Sequence, residues 1–265
     1  MTIPSNKNLE LAKMARPKPG DNVAVWFSNG AATALAAFIT LQRFGEACNV
    51  RVINNPVIEE DADNLRFQLD VERWLNRPVI RHVSPKYPEG SAKMVWDRRG
   101  AMVFPKGAPC TVHLKKEARQ DYERHWRVDW HVLGFTADEK SRFDRFVLTE
   151  RSNVIPVLID AGMTKEDCAR FLIGQGLSLP RVYSEGYPNA NCIGCVKATS
   201  PTYWNLVRRT RPEVFAERAE QSRRLGARLV RYQGKRIFLD ELPQNAIGRP
   251  LKNMSIECGI FCEEK

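Results

Sequence analysis

The sequence has no apolar run of the roughly 18 residues that a membrane-crossing helix needs. Its longest candidate, Ala31 to Leu41, is short, Ala-rich and broken by threonine. Residues 1–20 form a polar, basic arm without an apolar stretch, so no secretory leader is expected and the chain reads as cytoplasmic. Internal repeats and low-complexity tracts are absent. So are a Walker loop and a G-x-G-x-x-G dinucleotide fingerprint. Histidine is scarce: His82, His113, His125 and His131 are the only four, and none shows metal-ligand spacing with a cysteine. Seven cysteines is an odd number, and thiols stay reduced in the cytosol. A disulfide framework is therefore excluded, and metal, cluster or redox chemistry becomes the expectation.

What is present suits a folded chain. The 265 residues are 43% hydrophobic and 27% charged, enough to build a core and too apolar for long-range disorder. Asn22 to Phe27 reads as a buried strand, Ala31 to Phe44 as a helix closed by Gly45, and Val50 to Ile53 as a second strand. Asp63 to Leu75 reads as an amphipathic helix with Leu65, Leu69 and Trp74 among its apolar positions. Val79 to Val83 is a third strand. This alternation predicts an α/β fold: a parallel twisted sheet with flanking helices. Further helices are expected over Leu114–Trp126, Asp138–Glu150 and from Thr164, where Thr-x-x-Asp is a capping arrangement. A strand is expected over Trp130–Gly134. Tyr203–Arg224 reads as helix interrupted or restarted at Pro212, and Arg228–Leu239 as strand, Gln-Gly turn, strand. The expected organisation is a basic arm over 1–20, a nucleotide-binding core over 21–150, and a cysteine-rich, basic C-terminal region over 151–265.

Three features carry chemistry. Ser28-Asn29-Gly30-Ala31-Ala32-Thr33 joins a strand to a helix. Small residues there let a ligand approach, and the first helix N–H groups attract an anion. Ser28 and Thr33 can add hydroxyls. Cys192-Ile193-Gly194-Cys195 can hold a metal or cluster or form a redox pair. Cys110 follows Pro109 and precedes Lys115 and Lys116, a setting that favours the thiolate. Two more cysteines, Cys258 and Cys262, lie near the C-terminus, whereas Cys48 and Cys168 read as buried hydrophobes. Separately, 205–236 holds ten basic residues against three acids within a chain of net charge +10. Such a concentration attracts polyanions or presents a solvated face.

In this order, the cradle loop, Ala108-Pro109-Cys110-Thr111-Val112-His113-Leu114-Lys115-Lys116, the C-x-x-C and Glu257-Cys258-Gly259-Ile260 resemble the phosphoadenosine phosphosulfate (PAPS) reductase family. That family belongs to the adenine nucleotide alpha-hydrolase-like (PP-loop) superfamily. The Gly-Ala-Pro-Cys-Thr, Asn-Cys-Ile-Gly-Cys-Val-Lys and Tyr-Trp-Asn wording is similar to its phage and prophage-type branch. Leu133-Gly134-Phe135, with Glu139, Arg142 and Arg145, resembles the family's Gly-x-Arg-x-x-Glu stretch. The resemblance implies an adenine nucleotide as substrate and thiol-dependent reduction of an adenylylsulfate-type compound to sulfite. Cys258 would be the nucleophile and a thioredoxin-like protein the reductant. It further implies a 4Fe-4S cluster on Cys110, Cys192, Cys195 and Cys262, zinc ranking below it. Ser28, Asn29, Gly30, Thr33, Lys115, Lys116, Arg142 and Arg145 would hold the anionic nucleotide. The implied fold adds a helical, cysteine-bearing C-terminal extension to the sheet.

The sequence also departs from the family. Asn54-Asn55-Pro56, followed by Glu59, Glu60, Asp61, Asp63 and Asn64, replaces its substrate loop. One cysteine stands where cluster-containing members have two. These departures leave open an ATP-dependent iron–sulfur sulfurtransferase that thiolates a tRNA base or DNA. In that reading Mg²⁺ is needed, Glu59 to Asp63 could supply a carboxylate for it, and 205–236 grips the polynucleotide.

Overall fold

The structure, a computed structural model, describes residues 16–105 and 107–251. It divides into two compact units whose chain segments alternate. The first takes the chain up to Asn55, with Asp63–His82 and Tyr122–Pro180; the second takes Pro56–Ala62, Val83–Asp121 and the chain from Arg181 onward.

The first unit is built on five parallel strands. They are β1 (Asn22–Trp26), β2 (Asn49–Asn54), β3 (Val79–Arg81), β4 (Trp130–Val132) and β5 (Val154–Ile155). Their spatial order is β3-β2-β1-β4-β5. Helices flank the sheet, which is why β1 reads as an unbroken apolar run: Val23, Ala24, Val25 and Trp26 are all buried. Helix α1 (Ala31–Phe44) buries an alanine-rich face with Leu35 and Thr40, and the Gly45 N–H closes it onto the Leu41 carbonyl at 2.8 Å. Helix α2 (Asp63–Leu75) buries Phe67 and Val71. Leu65 and Leu69, expected among its apolar positions, are exposed instead. Trp74 does face inward, stacking on Phe38 with centroids 4.7 Å apart.

Successive strands run outward from β1 to β2 and β3, and the chain then crosses back to β4 on the other side of β1. The carboxyl ends of β1 and β4 thus form the sheet's switch point, the place where open parallel sheets bind ligands.

In the second unit, α3 (Ala92–Arg99), capped by Ser91 and Gly100, is not among the expected elements. Pro109–Thr111 starts a helical turn that passes through a π-helical turn, Val112–Lys116, into α4 (Glu117–His125). Along the chain, α5 (Lys140–Thr149) and α6 (Lys165–Gly174) belong to the first unit. Thr164 and Asp167 form the expected reciprocal cap of α6, with Thr164 Oγ1 donating to Asp167 at 2.6 Å. The second unit resumes with α7 (Pro201–Thr210) and α8 (Pro212–Arg224), so Pro212 restarts the helix at its first position. Antiparallel strands β6 (Val230–Tyr232) and β7 (Lys235–Ile237) follow, joined by Gln233 and Gly234 at φ 47° and 78°. Both residues at positive φ make the tight turn that suits a twisted hairpin. Trp96, Trp204, Leu206, Val207, Leu229 and Val230 lie in this unit's core. Among the described residues, no helix is long and apolar enough to cross a membrane.

Candidate functional site

The cradle loop lies at the switch point. Phe27 continues β1 by donating its N–H to Ile53 at 2.7 Å, and the chain then turns through Asn29 at φ 57°. Asparagine tolerates this left-handed conformation better than most residues. No side chain caps α1 at Gly30, and its first turn holds no acid. No acid within α1's own first turn offsets the positive end of the helix dipole. Thr33 Oγ1 donates to the Gly30 carbonyl at 3.0 Å and accepts the Ser28 N–H at 3.2 Å. Thr33 is buried and shapes the loop, while Ser28 is exposed.

Two other strand ends pack here. Asn54, at the end of β2, donates to the Phe27 carbonyl at 2.8 Å. Gly134, just past β4, comes so close that a Cβ on it would lie 2.7 Å from Thr33 Cγ2. Only a residue without a side chain fits against the first turn of α1. Arg142 and Arg145 both lie on α5. Arg142 donates to Glu139 at 2.9 Å and covers the Phe135 ring at 4.9 Å; Arg145 is exposed. Burial opposes the Glu139 charge, but Lys165, Arg142 and Thr136 outweigh it and hold the carboxyl below its ordinary range.

The thiols lie in the second unit. Cys110, Cys192 and Cys195 are half-buried, free of disulfides and packed against one core cluster. Pro109 sits at the first helical position and places Cys110 in the opening turn, ahead of the π-helical turn. Gly194, at φ 70°, makes the C-x-x-C bend, and a Cβ there would meet Val214 at 3.1 Å. Tyr203 Oη accepts the Cys195 N–H at 2.9 Å and donates to the Cys192 carbonyl at 3.3 Å. Ile193 donates its N–H to the Glu59 carbonyl at 2.9 Å.

The donors are of the soft type that iron–sulfur groups or zinc take. Among the described residues, however, no three His, Cys, Asp or Glu side chains converge as a metal-holding group. Cys258 and Cys262 lie outside the described residues. Cys48 and Cys168 are buried, as expected of small hydrophobes, and burial pushes the Cys168 thiol up to about 12.

The acids of 59–63 have structural partners. Glu59 accepts from Ser91 Oγ, Ala92 N and Lys93 N at 2.8–2.9 Å, capping α3. Lys115 Nζ reaches Glu60 at 3.2 Å, both side chains being about nine-tenths buried. Asp61 accepts from Arg181 and from Arg211, each at 2.8 Å. Asp63 pairs with Arg66 at 2.7 Å. These contacts account for the acids locally, and Lys115, expected to face a nucleotide, is already neutralised. Lys116 is half-exposed. Sequence reasoning missed the Tyr203 hydroxyl and the Glu60–Lys115 pair; no local pattern marks either one.

The basic segment is also partly structural. Arg211 binds Asp61 and Glu185, Arg223 binds Asp240 and Glu241, and Arg224 binds Asp97. Arg218 is buried, with its guanidinium 4.6 Å from the Trp96 ring centroid. Arg208 donates to the Leu242 carbonyl at 2.8 Å.

No protein-family model and no curated protein matches the chain.

Proposed function

We propose that the chain performs sulfur chemistry on an adenine nucleotide, as a thiol-dependent reductase of an adenylylsulfate-type substrate. This reading places it with the PP-loop superfamily and makes its C-terminal region the thiol-bearing extension. The observation that carries it is the start of α1, with glycine at its N-cap and no acid in its first turn, at the switch point of a parallel sheet. Backbone N–H groups there suit phosphate or sulfate oxygens. Ser28, Asn29, Gly30 and Thr33 would line the cradle, with the α5 arginines Arg142 and Arg145 adding positive charge.

In the reaction, the Cys258 thiolate attacks the substrate's sulfur. The bond from sulfur to the bridging phosphate oxygen breaks, and the adenosine phosphate departs. The enzyme keeps an S-sulfonate. A second thiol, from a thioredoxin-like protein, attacks Cys258 sulfur and forms a disulfide. Sulfite leaves carrying the bonding pair, so two thiols are oxidised as sulfur is reduced by two electrons. Cys110, Cys192 and Cys195, with Cys262, are the candidate ligands of a 4Fe-4S cluster, which would draw the three described thiols together and order the cysteine-bearing region. Visible absorption with iron and sulfide assays after anaerobic purification decides between that cluster and zinc.

Incubation with PAPS or adenylyl sulfate plus thioredoxin should release sulfite, and Cys258→Ser should abolish the release. A second reading, an ATP-dependent nucleic-acid sulfurtransferase using Mg²⁺, is favoured by the like-charged β6–β7 hairpin. Absence of sulfite with both compounds, together with pyrophosphate release from ATP in the presence of tRNA or DNA, would establish it instead.

A further inference from the structure

The exposed remainder of the basic segment is concentrated on and beside the β6–β7 hairpin. Arg231 stands directly opposite Arg236 across the ribbon, flanked by the pairs Val230–Ile237 and Tyr232–Lys235. Opposed residues share a face and neighbouring pairs alternate. Val230 is buried, and Tyr232 and Ile237 pack on the core, so their face is the inner one. Arg231 and Arg236 therefore occupy the outer face, and both are exposed. Like charges directly opposed destabilise a ribbon. Burial, then Arg231, draws the Arg236 proton affinity down.

The fold does not relieve this repulsion. Among the described residues, neither Arg231 nor Lys235 has an acidic partner. The nearby acids Asp240 and Glu241 are taken by Arg223, at 2.9 and 2.8 Å. Arg228 adds a further positive charge, its guanidinium 5.3 Å from the Phe238 ring centroid. The ribbon is nonetheless held firmly. The Arg231 N–H donates to Thr199 at 2.8 Å, and Arg236 donates to the Leu229 carbonyl at 2.7 Å. A two-stranded ribbon anchored by these bonds, with an unneutralised cationic outer face, complements a polyanion of regularly spaced charges.

We propose that the outer face of this hairpin, with Arg231 and Arg236 at its centre, grips the phosphate backbone of a nucleic acid. The contact is electrostatic and carries no base specificity. It concerns binding alone and holds whichever reaction the cradle serves, so a failed sulfite assay leaves it standing.

The test is fluorescence anisotropy of the full chain with a short labelled duplex DNA and an RNA hairpin over a salt series. Log affinity should fall linearly with log salt. The double variant R231Q/R236Q should bind on the order of tenfold more weakly near ~0.1 M salt and lose about two from the salt slope. Its thermal midpoint should stay close to the parent's, the relieved Arg231–Arg236 repulsion offsetting the lost Arg236–Leu229 hydrogen bond. R231K/R236K should keep the parent's slope. Failure of the parent to bind either nucleic acid overturns the assignment, as does unchanged binding by R231Q/R236Q. Loss of the slope in R231K/R236K also overturns it. So does binding to phosphatidylserine vesicles at least as tight as binding to the duplex.

Discussion

The Tyr203 hydroxyl holds both ends of the Cys192–Cys195 bend, accepting the N–H of one cysteine and donating to the carbonyl of the other. The ring is fully buried, and burial, followed by Cys195, pushes the phenol well above its ordinary range. Tyr203 thus stays a neutral donor and acceptor across the usable pH range. Tyr203→Phe removes both of these hydrogen bonds, a cost of about 1–3 kcal/mol. Its thermal midpoint should fall, and maleimide should label Cys192 and Cys195 faster than in the parent. Unchanged labelling would show that the hydroxyl does not set the bend.

Gly134 is held by space, not by backbone conformation. Gly134→Ala forces a Cβ against the first turn of α1 and should destabilise by about 1–3 kcal/mol through overpacking. If that turn binds anions, stabilisation by added sulfate or pyrophosphate should shrink as well. Differential scanning fluorimetry with and without these ions reads both effects.

The Lys115–Glu60 pair is buried, so removing Lys115 takes a cation from beside a buried carboxylate. Lys115→Met should cost about 3–5 kcal/mol. Lys115→Met combined with Glu60→Gln should recover a measurable part of that loss. A double-mutant cycle by urea unfolding gives the coupling; additive effects would show that the two do not stabilise one another.

Cys168 gives a prediction for alkaline pH. Its folded-state pKa is about 12 against an ordinary 9.0, because the thiolate would be buried. Between these values the unfolded chain has lost a proton that the folded chain keeps. Stability therefore falls as pH rises through that window. Cys168→Ala should unfold with a shallower pH dependence from ~9 to ~12 than the parent, measured as the difference between their urea midpoints. In the native parent at pH 8, iodoacetamide should leave Cys168 unmodified.

Much of the sheet-bearing unit was legible because its signals are local. The run Asn22–Trp26, the alanine-rich α1 and the Thr164–Asp167 cap depend on residues close in sequence. The exposed faces were less legible: Leu65 and Leu69 fit the helical period, yet the interior takes Phe67 and Val71. Helix α3 is bounded by local caps, Ser91 accepting the Met94 N–H and Gly100 at φ 62°, but its eight residues carry little amphipathic period to fill the space between them. The acids of 59–63 looked available for a metal because their partners are distant in sequence. Their partners Lys115 and Arg211 lie 55 and 150 positions away from Glu60 and Asp61. Pairing at such separations leaves no local pattern to read.

The segment Pro56–Ala62 departs from the sheet-bearing unit, and the chain returns to it at Asp63. A ribosome therefore delivers Asp61 long before Arg181 and Arg211, which follow by 120 and 150 positions. At ~5–20 residues per second the later partner emerges on the order of ten seconds afterwards. The last stretch of the sheet-bearing unit ends at Pro180, one residue before Arg181. Nascent chains arrested just before Arg181 would thus carry every strand of the parallel sheet and neither arginine that seats Asp61. Vectorial synthesis favours the sheet closing first, with this acidic segment kept in water until the arginines arrive.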